Sequence, residues 1–187
     1  MAVAISLLVG FLGGIFFSAF KLGPVSSSHQ HTPTQQQVQQ GLSPDDAAKI
    51  LELEKEVAVN PENYEALVEL GHRYFDSGQH QKAINMYVKA LALDSSDANV
   101  WTDLGVMYRR SKQPQKALES FETASTKNPK HEISRFNKGI VLFYDMKDYK
   151  GAIAAWNDLL TINPNAKAGN GIPVSEFIKE AEKQLNQ

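Results

Sequence analysis

The chain has 187 residues, a formal net charge of −2 at pH 7 and no cysteine. The near-neutral charge disfavours nucleic acid as a partner, because affinity for a phosphate backbone comes chiefly from clustered Lys and Arg. Without cysteine the chain has no disulfide, no thiolate metal site and no cysteine-linked lipid. Cysteine usage therefore assigns no cellular compartment.

An uncharged stretch rich in Leu, Ile, Val and Phe occupies residues 2–20. Its length is close to the roughly 20 residues that a helix needs to cross a bilayer, so the stretch predicts a transmembrane anchor. A cleaved signal peptide is the competing interpretation. It is disfavoured because no Lys or Arg precedes the apolar run, and because Phe17 and Phe20 disrupt the small-residue pattern around Ala19.

Small residues recur four apart within the predicted anchor, a spacing that lets membrane helices approach closely. They are Ser6, Gly10, Gly14 and Ser18. Glycine is also common in single anchors, so both helix pairing and a plain anchor stay open.

A polar tract of Ser, Gln, Thr and Pro follows at residues 21–43. Such a composition buries too little apolar surface to fold, and it predicts a disordered linker. His29 and His31 lie within it, but two histidines in a mobile tract make a poor metal site, and we predict none there.

A helical domain is predicted over residues 44–187. Ser43-Pro44-Asp45-Asp46 is typical of a helix start, which predicts a first helix over 44–59 that ends before Asn60-Pro61. A last amphipathic helix is predicted over 173–186, with Val174, Phe177, Ile178, Ala181 and Leu185 on one face. Both are interpreted as capping helices of a repeat array.

Between these two helices, three glycines recur at a spacing of 34 residues: Gly71, Gly105 and Gly139. Each is followed by an alanine, at Ala83, Ala117 and Ala152 respectively. A period of that size predicts stacked helical hairpins, here over 64–97, 98–131 and 132–165. The third unit has one residue more between Gly139 and Ala152. We therefore expect an extended turn at 145–148.

The middle unit resembles the tetratricopeptide (TPR) pattern at its eight signature positions. These are Trp101, Leu104, Gly105, Tyr108, Ala117, Phe121, Ala124 and Pro129. The other units match less fully, because Ser95 replaces the proline of the first, and Arg135 and Lys138 replace apolar residues of the third. The resemblance implies an all-α fold of three hairpins in a right-handed superhelix with capping helices.

Catalytic and cofactor motifs are missing from the sequence. It contains no G-x-S-x-G, H-E-x-x-H or phosphate-binding G-x-x-x-x-G-K-[ST] motif. The basic residues Arg109, Arg110 and Lys112 end a helix, where cations are favoured anyway. We predict a non-enzymatic chain without cofactor or metal.

The resemblance implies that the first helix of each hairpin lines a concave, peptide-binding groove. The family's groove positions carried over to this chain are Glu65, Val68, Glu69, His72 and Phe75 in the first unit, Asn99, Thr102, Asp103, Val106 and Arg109 in the second, and Ile133, Phe136, Asn137, Ile140 and Phe143 in the third. TPR domains that capture acidic carboxyl termini need Lys, Arg and Asn clamps at some of these positions. This chain has Val68, His72, Asp103 and Ile133 there instead.

An apolar or amphipathic helical segment is therefore the predicted ligand. The alternative is that the C-terminal helix covers part of the apolar surface of the third unit.

Residues 148–164 also resemble the last repeat of membrane-anchored TPR proteins of bacterial cytochrome c biogenesis. Those proteins hold apocytochrome for haem attachment outside the cytoplasm. The resemblance implies a single-pass adaptor with its domain in the periplasm, although Lys21 alone weakly favours the cytoplasm. A self-associating scaffold and a cytoplasm-facing import or translocon receptor are the alternatives.

Overall fold

The computed structural model describes residues 43–187. These residues form eight α-helices and one π-helical turn, joined by short loops. In chain order they are α1 (Pro44–Val59), α2 (Tyr64–Asp76), α3 (His80–Leu93), α4 (Ala98–Arg110), α5 (Pro114–Lys127), α6 (Glu132–Ile140), the π-helical turn (Val141–Asp145), α7 (Tyr149–Ile162) and α8 (Val174–Leu185). The stacked helical hairpins predicted from the period are confirmed, and the all-α fold is TPR-like, as the resemblance implies.

The predicted membrane anchor, with its small-residue face at Ser6, Gly10, Gly14 and Ser18, lies outside the described residues, as do His29, His31 and nearly all of the predicted linker. Within 43–187, none of the helices combines the length and apolar character that crossing a bilayer requires.

Helices α2 and α3, α4 and α5, and α6 and α7 form the three hairpins. In each one a glycine of the first helix faces a large aromatic ring of the second, as Gly71 faces Tyr87 and Gly105 faces Phe121. A Cβ atom on Gly139 would lie 2.1 Å from Nε1 of Trp156. Only hydrogen fits at these positions, which explains why glycine stands inside helices despite its low helix propensity.

A residue in the left-handed conformation closes each hairpin: Gly78 (φ 71°), Lys112 (φ 57°) and Lys147 (φ 58°). In the first two hairpins, the backbone amide of the next residue donates to the carbonyl five residues before it. In the third hairpin, the amide of Asp148 donates to the carbonyl of Leu142, six residues before it. The three turns are thus equivalent, and the helix before the third turn is longer by one residue.

The extra residue lies in the π-helical turn Val141–Asp145, where the amide of Met146 bonds to the carbonyl of Val141 at 3.1 Å. The expected extended turn at 145–148 is therefore wrong. A single inserted residue widens one turn of a helix to the π form without changing the loop that follows.

Two further helices cover the ends of the array. Helix α1 buries Ile50, Leu53 and Val57, and its start is capped by the Ser43 hydroxyl, which accepts a hydrogen bond from the amide of Asp46 at 3.1 Å. At the other end α8 begins at Val174, with Pro173 as its N-cap residue.

Helix α8 packs through Phe177, which is 2% exposed. Its ring lies 5.5 Å from the ring of Trp156 in α7 and 5.2 Å from the ring of Phe136 in α6. The third hairpin therefore has its apolar end buried by α8, as a terminal repeat requires.

Candidate protein-binding groove

The first helices of the hairpins, α2, α4 and α6, meet along two seams that carry polar contacts. At the α2/α4 seam, Nε2 of His72 lies 3.2 Å from Oδ2 of Asp103. The guanidinium of Arg110 stacks over the ring of Phe75, 4.6 Å from its centroid. These contacts bring residues that are about 31 to 35 positions apart onto one surface, as expected for a repeat array.

At the α4/α6 seam, Nε2 of His131 lies 3.0 Å from Oδ1 of Asn99. Further along the same seam, Nε of Arg109 donates to the carboxylate of Asp145 in the π-helical turn. The two seams thus run along one surface of the array, and we call the surface formed by α2, α4, α6 and the π-helical turn the groove.

The arginines of this surface are engaged within the protein. Arg73 bonds to Glu69 at 2.6 Å, and Arg109 pairs with Asp145. Arg110 is stacked on Phe75, and burial lowers the pKa of its guanidinium. An acidic ligand would have to break these contacts before it could use the cations.

Apart from the acidic residues Glu65, Glu69 and Asp103, twelve groove residues are predicted, and six of these twelve are partly exposed. They are Val68, His72, Phe75, Asn99, Arg109 and Ile133. The three acidic residues of the predicted groove have different surroundings. Glu65 is exposed, and Glu69 forms an ion pair with Arg73. Asp103 is 3% exposed and lies next to His72.

The other six of these twelve residues are buried. They are Thr102 (1% exposed), Phe136 (5%), Asn137 (6%), Ile140 (6%), Val106 (8%) and Phe143 (8%). These residues form the floor beneath the groove, and their side chains offer a ligand little surface.

Phe136 is one correction to the predicted groove. Its ring packs edge-on against Phe177 of α8, and its carbonyl accepts a hydrogen bond from the indole of Trp156 at 3.1 Å. Helix α8 thus covers part of the apolar surface of the third unit, which is the alternative that the sequence leaves open. Phe136 belongs to the core.

Phe143 is the second correction, and the π-helical turn is its cause. Counted back from the left-handed turn residue, Phe143 takes the place of Tyr108 in the second hairpin and of Tyr74 in the first. Its ring lies 5.9 Å from Trp156 and 5.3 Å from Tyr149. The inserted residue rotates Phe143 into the core.

Tyr144 takes the groove position instead, equivalent to Arg109 and Phe75. Its side chain is partly buried, which raises the pKa of its hydroxyl, and Arg109 and Glu180 of α8 act on it electrostatically. The prediction from sequence missed Tyr144. The signal in the sequence is the additional residue between Gly139 and Ala152, whose spacing does not distinguish a longer turn from a π-helical turn.

The amide of Asn137 stands out in the floor of the groove. Its Nδ2 atom is buried and has no hydrogen-bond partner among the described residues. Buried polar groups are nearly always paired, so this unpaired amide donor is an exception within the floor.

Metal binding has no candidate in the described part of the chain. Residues 43–187 contain no group of three His, Asp or Glu side chains placed to hold an ion.

Comparison with known families identifies the repeats. A family model described as TPR repeat matches residues 71–111, and one described as tetratricopeptide repeat matches residues 109–167. The two matches overlap at residues 109–111 and together cover residues 71–167.

Sequence relatives match this chain over a small part of their own length. A human protein O-mannosyl-transferase, TMTC3, is 32% identical over 87 residues, which are 46% of this chain and 10% of that protein. A CTR9 homolog of Arabidopsis thaliana is 31% identical over 137 residues, 71% of this chain and 12% of that protein.

Solved structures share the fold. MamA superposes with a TM-score of 0.63 at 22% identity, over 76% of this chain and 90% of its own. The TPR domain of Sgt2 from Aspergillus fumigatus gives 0.56 at 25% identity, over 66% and 79%. The first TPR domain of RPAP3, solved with the HSP90 peptide SRMEEVD, gives 0.59 at 20% identity, over 66% and 94%.

Proposed function

Since this chain is a tetratricopeptide-repeat protein, we propose that it is a non-catalytic adaptor that binds a segment of another protein along the groove. The similar RPAP3 domain was solved with a peptide, and a relative 33% identical over 78 residues is a heat-shock cognate co-chaperone of Aspergillus fumigatus. Those examples support protein binding as the general activity.

One observation carries the proposal: the first and third hairpins both present partly exposed apolar side chains on the groove. They are Val68 and Phe75 from α2, Ile133 from α6 and Tyr144 from the π-helical turn. Aromatic and aliphatic side chains of this kind are the usual anchors of a helix bound in a groove.

The chemistry of the segment follows from the charges of the groove. Because Arg73, Arg109 and Arg110 are each engaged within the protein, the groove offers no free cation from these arginines to a carboxylate. An apolar or amphipathic helix fits the exposed side chains better than an acidic tail such as the one bound by RPAP3.

The narrower form of the proposal adds a location and a partner. The apolar residues 2–20 would anchor the adaptor in a membrane, with the repeats in the periplasm. An apocytochrome c is the favoured partner, because residues 148–164 resemble the last repeat of TPR proteins of cytochrome c biogenesis. Protease added to spheroplasts should degrade the repeats of the full-length chain. Protection of the repeats would favour the cytoplasm-facing receptor.

Site-specific photo-crosslinking tests the proposal. A photoreactive phenylalanine analogue is placed at Val68 or Tyr144 of the full-length chain in its native membrane, and at Val88 of α3 as a matched control that is 45% exposed. We expect the same partner protein to be captured from both groove positions and not from Val88, with mass spectrometry as the readout.

Two outcomes would contradict the proposal. Capture of the same partner from Val88 at equal yield would move the binding surface to the second helices. Capture of only further copies of this chain would favour the self-associating scaffold.

A further inference from the structure

His131 joins the second hairpin to the third. It is the N-cap residue of α6, it is 8% exposed, and its Nδ1 atom accepts a hydrogen bond from the amide of Ser134 at 3.3 Å. Its other ring nitrogen, Nε2, lies 3.0 Å from Oδ1 of Asn99 on α4. One imidazole therefore caps a helix and links it to the neighbouring repeat.

These contacts require one protonation state of the ring. Nε2 carries the proton because the Asn99 oxygen accepts, and Nδ1 is unprotonated because the Ser134 amide donates to it. Thr102 lies 3.5 Å from Nδ1, but its hydroxyl donates to the carbonyl of Ala98 at 2.8 Å. The neutral ring thus satisfies every neighbour.

A second proton on Nδ1 would oppose the cap. It would point at the Ser134 amide, so two donors would face each other, and it would place a positive charge at the positive end of α6. The Thr102 oxygen, 3.5 Å from Nδ1, could accept this proton, but the Ser134 amide would still lose its acceptor.

We propose that His131 is a proton-operated joint: below neutral pH its protonation releases the cap of α6 and loosens the third hairpin, with α8, from the second. This inference does not depend on the proposed ligand. Its consequence for the molecule is that the α4/α6 half of the groove changes shape on acidification while the α2/α4 seam keeps its contacts.

The charges around the ring act in both directions. Asp97 and Asp103 of the second hairpin favour the charged ring, and Arg135 of α6, whose guanidinium donates to the His131 carbonyl at 3.2 Å, disfavours it. Burial is the largest influence, and the pKa of His131 is lowered below its ordinary value of 6.5.

The sign of the effect on stability follows from that direction. A histidine whose pKa is lower in the folded than in the unfolded chain contributes its full stability above about pH 6.5, and loses it as the pH falls from there towards the folded-state pKa. Acid therefore destabilises the joint.

The test compares the full-length chain with His131→Asn, both in a neutral mild detergent. Asparagine keeps an N-cap acceptor but does not titrate. In urea unfolding followed by tryptophan fluorescence, the unfolding constant of the wild type should rise between pH 7.5 and 5.5 by up to about tenfold more than that of the variant. An equal pH dependence in the two proteins would overturn the proposal.

A direct titration keeps the test decisive if His131→Asn folds poorly. The Cε1 proton of His131, followed by NMR in the full-length chain, should titrate below pH 6.5, and a midpoint at or above 6.5 would also overturn the joint. In Asn99→Asp a carboxylate replaces the amide 3.0 Å from Nε2, so this midpoint should move upward. No upward shift would show that Asn99 and the ring are not in contact.

Discussion

The tightest contact between the two helices of a hairpin is made by Gly139, whose backbone touches the buried indole of Trp156. In Gly139→Ala the new Cβ would lie 2.1 Å from Nε1, while the indole is held by its hydrogen bond to Phe136. The clash should outweigh the gain in helix propensity of about 1 kcal/mol, and we expect a net loss of about 1–3 kcal/mol.

Urea unfolding of the full-length chain measures this loss. Ala154→Gly, at an exposed position of α7, is the control that reports helix propensity alone. A Gly139→Ala protein as stable as the wild type would show that α6 and α7 do not approach as closely as described.

Two aromatic signature residues of the middle repeat should differ in their contribution to stability. Phe121 is fully buried, and Phe121→Ala should cost about 3–5 kcal/mol. Trp101 is partly exposed, and its indole donates to the carbonyl of Ser95 at 3.0 Å. Trp101→Ala should therefore cost less, about 1–2 kcal/mol. The same unfolding measurement compares them, and equal losses would contradict the described burial.

At the scale of the elements, the π-helical turn permits a deletion experiment. Removing Leu142 would return the helix to the spacing of the first two hairpins and leave Gly139, Phe143 and the turn in place, although some buried apolar surface is lost. Removing Lys147 would delete the left-handed residue that closes the hairpin. We expect the Lys147 deletion to be the more destabilising one by circular dichroism melting. The reverse order would place the extra residue in the turn.

Periodicity predicted the elements well because each helix has local signals. The cap at Ser43 depends on the first turn of α1 alone. The glycines at 34-residue spacing and the signature residues of the middle repeat depend on neighbours within one hairpin. The position of the inserted residue could not be predicted, because a longer turn and a π-helical turn give the same spacing between Gly139 and Ala152.

The groove was harder to predict than the fold, because it depends on contacts between elements and not on local signals. The assignment of Phe143 failed because the register changes within the π-helical turn, and that of Phe136 because α8 covers it. Residues before the insertion and away from α8, such as Val68, His72 and Phe75, are partly exposed as the family register implies. Their contact with a ligand stays a prediction.

At the scale of the whole molecule, binding of the partner should be insensitive to salt. The exposed groove anchors are apolar, and the arginines are engaged internally, so screening of charges should change little. The yield of partner cross-linked from Tyr144 should be similar at 50 and 500 mM NaCl. A severalfold fall at the higher concentration would indicate a charged clamp instead.

Replacing Phe136 and Phe143 would not test the groove, since both belong to the core. The matched variants are Phe75→Ala with Tyr144→Ala in the groove, and Val88→Ala with Leu93→Ala on α3, where both residues are 45% exposed. Circular dichroism of the full-length proteins checks that each double variant is folded.

The amount of partner that co-purifies with each double variant from cell extracts tests the central claim most directly. Interface anchors commonly cost about 2 kcal/mol or more on truncation, so the groove variant should lose affinity by more than about tenfold. The α3 variant should recover as much partner as the wild type. Equal recovery with the two folded variants would contradict binding in the groove.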